Sequence, residues 1–61
     1  MNKSENLTIE EIFSLALQNQ QKNNFKEALN FYNQVLEIDP NNLNARINLG
    51  AVFKGLGDNK K

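Results

Sequence analysis

Cysteine and histidine are both absent from this chain. Without cysteine there is no disulfide framework and no thiolate chemistry. Without histidine the commonest general base and the commonest metal ligand are missing. Neither sign of charge is in excess, since seven Lys and Arg balance seven Asp and Glu. A neutral chain carries no electrostatic footprint for DNA, RNA or an anionic membrane. Long apolar runs are lacking too. The stretch Ile12 to Leu17 is far short of the roughly 20 residues that span a bilayer. Glu5, Glu10 and Glu11 break up the amino terminus, which therefore does not read as a signal peptide. A soluble, cytoplasmic protein without cofactor or metal is the expectation. Size sets a further bound: 61 residues make one small domain, which buries only about 60% of its unfolded surface and is marginally stable alone.

What is present is helical punctuation. Residues 1–6 are polar and are expected to be disordered. Thr8 with Glu11 forms a capping box, and Leu7 with Ile12 has the spacing of a hydrophobic staple. Ile9, Ile12, Phe13, Leu15, Ala16 and Leu17 then follow helical rather than strand periodicity, which predicts a first helix over about 8–22. Asn24 with Glu27 reads as a second cap. Phe25, Ala28, Leu29, Tyr32, Val35 and Leu36 form one stripe at steps of three and four, predicting a helix over 25–38. Pro40 cannot continue it and holds Asp39 out of helical geometry. Asn41 and Asn42 offer a cap for a third helix over about 42–56, which carries Ala45, Leu49, Val52, Phe53 and Leu56 on one side. Gly55 and Gly57 are expected to end it, glycine being tolerant of the left-handed C-terminal position. Connections of a few residues make neighbouring helices antiparallel. The expected architecture is all-α, a helical hairpin plus a third helix.

A shift of 34 residues superimposes Ile9–Glu27 on Leu43–Lys61 with residue character kept. Leu15 falls on Leu49, Ala16 on Gly50 and Phe13 on Ile47. That is the period of the tetratricopeptide repeat (TPR), and the family's pattern can be followed residue by residue. Ile12, Leu15, Ala16, Asn19, Ala28, Tyr32 and Pro40 occupy its slots in the first repeat. Arg46, Leu49, Gly50 and Phe53 occupy them in the second, where Gly55 to Asp58 resembles the inter-helix turn. The stretch Ala28 to Asn41 resembles a family second helix and its exit. The chain departs from the pattern where Ile12 and Arg46 replace an aromatic and Asn19 replaces a tyrosine. The second repeat also stops before its own second helix. The resemblance implies an α-solenoid fragment, one repeat at 7–41 and half of another at 42–61. Leu15, Ala16, Ala28, Tyr32, Pro40 and Gly50 are then the residues that pack repeats together. Glycine inside a helix costs about 1 kcal/mol relative to alanine, so Gly50 is expected to sit where a neighbouring helix comes close.

No catalytic constellation is legible. Glu10 and Glu11 lie in a first helical turn, where the macrodipole favours acids. Asp39 and Asp58 are turn residues. Gly50 to Gly57 lacks the lysine and hydroxyl ending of a phosphate loop. One arginine and a neutral charge argue against a DNA-binding helix-turn-helix. The chain is expected not to be an enzyme.

In the family, first helices line a concave groove that receives a peptide or a partner helix. By resemblance the groove here comprises Glu10, Phe13, Leu17 and Gln20 of the first repeat. Asn44, Ile47, Asn48, Ala51 and Lys54 correspond in the second. Phe13 and Leu17 stand where members that grip a chaperone's C-terminal carboxylate place lysine and asparagine, so no such clamp is expected and the groove is apolar. Phe13, Leu17 and Ile47 read equally well as ordinary core of a small bundle. Leu49, Val52, Phe53 and Leu56 exceed what one preceding hairpin covers, and an uncapped apolar face invites continuation of the array or self-association. Three roles follow: a protein-interaction module with an apolar groove, a homodimerising structural unit, or the amino-terminal appendage of a larger enzyme.

Overall fold

A computed structural model describes residues 7–59, folded as three helices: α1 (Ile9–Gln21), α2 (Phe25–Ile38) and α3 (Leu43–Asn59). The expected disorder of residues 1–6 lies outside the described residues, as do Lys60 and Lys61. Among the described residues there is no strand.

α1 begins where its capping box places it. Glu11 N–H donates to Thr8 Oγ1 at 3.1 Å, and Thr8 N–H donates to Glu11 Oε1 at 2.9 Å. It ends in a device that the sequence reading did not foresee. Asn23 adopts φ 65°, the left-handed conformation that asparagine tolerates better than most residues. Around it, Asn24 N–H donates to the Asn19 carbonyl (2.8 Å) and Asn23 N–H to that of Gln20 (3.0 Å). These are the two bonds of a Schellman motif, which usually adds an apolar contact between the residues at its ends. Here those residues are Asn19 and Asn24, and Asn24 Nδ2 donates to Asn19 Oδ1 at 3.3 Å instead. Asn24 is thereby diverted from the capping role expected of it, and its side chain makes no cap bond to α2.

The second turn follows from Asp39 and Pro40. Asn41 N–H donates to Asp39 Oδ1 (3.3 Å) and Asn42 N–H to the Asp39 carbonyl (3.0 Å), closing a turn with proline at its second position. Asn42 then caps α3, its Oδ1 accepting from Ala45 N–H at 2.9 Å.

The core is shared by all three helices: Ile12 and Ala16 of α1, Ala28, Tyr32 and Val35 of α2, Ala45 and Val52 of α3. α2 is central and packs against both neighbours. Its start, Phe25, meets Gly55 near the end of α3, so α2 runs antiparallel to both and α1 and α3 run the same way. Tyr32 is the hub. It is fully buried, its ring meets Phe13 edge-on at 5.4 Å between centroids, and its hydroxyl donates to Gln20 Oε1 at 2.6 Å. A buried hydroxyl without a partner would cost about 1–3 kcal/mol, so Gln20 makes a tyrosine acceptable at the centre.

Three expectations about α3 need correction. The helix does not stop at Gly55 and Gly57; both keep negative φ and the helix continues to Asn59. Glycine permits a left-handed stop but does not impose one, and Val52 and Leu56 hold this stretch against α2. Gly50, expected at a close helix approach, is exposed, and a Cβ built there meets nothing within 4 Å. The glycine that packing requires is Gly55, whose added Cβ would lie 2.7 Å from Phe25 Cζ. Finally, of Leu49, Val52, Phe53 and Leu56 only Phe53 is left largely uncovered, at 55% exposure. Val52 is fully buried and Leu49 and Leu56 pack against the core, because α2 covers the face they share with Ala45.

Candidate binding site

The candidate site is a cleft between the first turns of α1 and α3. Ile9, Glu10 and Phe13 line it from α1, and Asn42 and Asn44 flank it from the α3 side, leaving an open groove of about 260 Å³. The two caps aim these residues: Thr8 starts α1 so that Ile9 and Phe13 share a face, and Asn42 starts α3 so that Asn44 faces them. Ile9 and Phe13 are half-buried and form the apolar floor, while Glu10 and Asn44 stand exposed at the rim. Asn42 has its side-chain oxygen engaged by Ala45 N–H, which leaves its amide NH₂ as the cleft-facing polar capacity. Among the described residues Glu10 is the only ionisable one of the lining.

Of the residues singled out from the sequence, the structure brings Glu10, Phe13 and Asn44 together in this cleft. Phe13 serves both readings at once, its ring belonging to the core through Tyr32 and to the cleft floor. Gln20 is occupied by Tyr32 and lies outside the cleft lining. Leu17, Ile47, Ala51 and Lys54 are exposed and Asn48 is half-buried; none lines the cleft. Ile9 and Asn42 were missed as lining residues. Both are read from the sequence as structural, a core position and a cap, and only the juxtaposition of two helix starts makes them walls. Among the described residues no group of acidic, histidine or cysteine side chains is arranged to hold a metal ion. Burial pushes the Tyr32 phenol above its ordinary value. It is packed in the core with no nucleophile or substrate space beside it.

A sequence model described as TPR repeat matches residues 20–57, more than half of the chain. The chain belongs to the TPR family. The match spans α2, most of α3 and the last residues of α1, the same helices that carry the buried small residues Ala28 and Ala45. Comparison with curated proteins and with solved structures finds no match. TPR repeats generally mediate protein–protein interaction, and the all-α hairpin plus third helix is the architecture that such repeats build. Among the described residues no helix is long and apolar enough to cross a membrane.

Proposed function

We propose that this TPR fragment is a protein-interaction module that holds an extended peptide segment in the cleft between α1 and α3. The make-up of the cleft carries the reading: an apolar floor of Ile9 and Phe13 flanked by the polar side chains of Glu10, Asn42 and Asn44. It suits one large side chain of an extended strand, with Phe13 and Ile9 beneath and the amides of Asn42 and Asn44 beside the peptide's backbone. The groove is accordingly mixed, with Ile9 and Phe13 as apolar floor and polar walls, and its apolar part does not include Leu17 and Ile47, which were expected in it.

Capture of partner segments by the intact chain, compared with Asn44→Trp, whose bulk fills the cleft without adding charge, tests this. Asn44 is exposed, so its replacement should leave the helical circular dichroism intact while capture is lost. Equal capture by both proteins would sink the proposal.

A second reading is self-association, favoured by the outer side of α3, where Leu43 (67% exposed), Ile47 (62%) and Phe53 (55%) surround the open position at Gly50. Sedimentation equilibrium at tens of micromolar checks it. A dimer should become a monomer in Ile47→Glu, and a monomeric parent chain would end this reading.

A further inference from the structure

We infer that the cleft selects a segment in which a lysine or arginine stands beside an apolar residue, a refinement that rests on the peptide-binding reading above. Charge decides the partner's chemistry. Among the described residues Glu10 is the only ionisable one in the lining, and it stands exposed. Toward the cleft the described side chains present a carboxylate, an aromatic floor and amides, while Thr8 Oγ1 and Asn42 Oδ1 each take one first-turn N–H, of α1 and α3 respectively. A carboxylate-bearing segment meets like charge there. A lysine or arginine places its cationic head against Glu10 while its methylene stem lies along Phe13, the division of labour that long basic side chains adopt. The apolar neighbour in the segment fills the space over Ile9, and the amides of Asn42 and Asn44 serve the peptide backbone.

Selection of a randomised octapeptide phage library against the intact chain tests this, with Glu10→Gln as counter-target. Enriched peptides should pair Lys or Arg with an adjacent Leu, Ile or Phe, and the cationic preference should vanish against Glu10→Gln. For one enriched peptide synthesised with blocked ends, Glu10→Gln should weaken binding about three- to fivefold, the scale of a single exposed ion pair. Glu10→Lys should lose it and favour the same peptide with glutamate in place of its cation. Enrichment of peptides without a cation, or unchanged affinity in Glu10→Gln, overturns the charge rule and leaves the groove reading standing. Absence of any enrichment over the Asn44→Trp variant overturns both.

Discussion

α1 and α3 are built to one pattern 34 residues apart, yet they live in different surroundings. Ile12 and Ala16 of α1 are buried beneath α2. Their counterparts Arg46 and Gly50 on α3 are exposed. A second helix covers the first position and none among the described residues covers the second. The same repeat slot therefore holds a core side chain in one helix and an open surface in the other. α3 is anchored instead by its opposite side, where Ala45 and Val52 meet α2. Burial in a repeat protein belongs to the interface between neighbours, not to the repeat unit.

The sharpest way to break this comparison uses two adjacent residues. Val52 is fully buried and Phe53 is 55% exposed. Val52→Glu puts an unpaired carboxylate into the core, a change that should exceed the few kcal/mol available to so small a domain, so thermal unfolding by circular dichroism should show no folded baseline. Phe53→Glu should melt within about 1 kcal/mol of the parent. Equal losses would mean that α3 packs through both sides.

The glycines give the next largest contrast. Gly50→Ala adds a methyl in open space and should stabilise by about 0.5–1 kcal/mol. Gly55→Ala should lie about 1–3 kcal/mol below it in urea-derived stability, because Phe25 must yield to the new Cβ. A reversed order would place the close approach at Gly50 after all. At the covered end, Thr8→Ala removes one half of the capping box and should cost about 1 kcal/mol, read as a lowered urea midpoint; no change would show that packing beneath α2 holds α1 without its cap.

The smallest effect is a pH dependence. Burial raises the Tyr32 phenol above its unfolded value of 10.0, so the folded state favours the protonated form. This contribution is fully present below pH 10 and is lost as pH rises through the folded value. The fall in urea midpoint between pH 9 and pH 11 should be smaller in Tyr32→Phe, which at neutral pH costs about 1 kcal/mol through the lost bond to Gln20. Identical slopes would mean that Tyr32 ionises as freely folded as unfolded.

Much of the fold was legible because its signals are local. Thr8 and Glu11 mark a start, Pro40 and Asn42 mark a boundary, and the stripe from Phe25 to Leu36 repeats at helical steps. Asn23 was legible in principle, since asparagine just beyond a helix end is a known left-handed stop, but polar residues on both sides hide which one takes that role. The cleft was only partly legible. Glu10, Phe13 and Asn44 came from the family resemblance, whereas Ile9 and Asn42 became walls through the meeting of two helix starts far apart in the chain.

By itself, the sequence determined three helices, their order, and the apolar stripe that α2 presents to its neighbours, because caps, proline and periodicity act within a few residues. The tertiary structure decided which side of α3 is covered and which glycine must stay small. Both depend on where α2 lies across α3, and a helix seen alone carries no record of the distance to its neighbour.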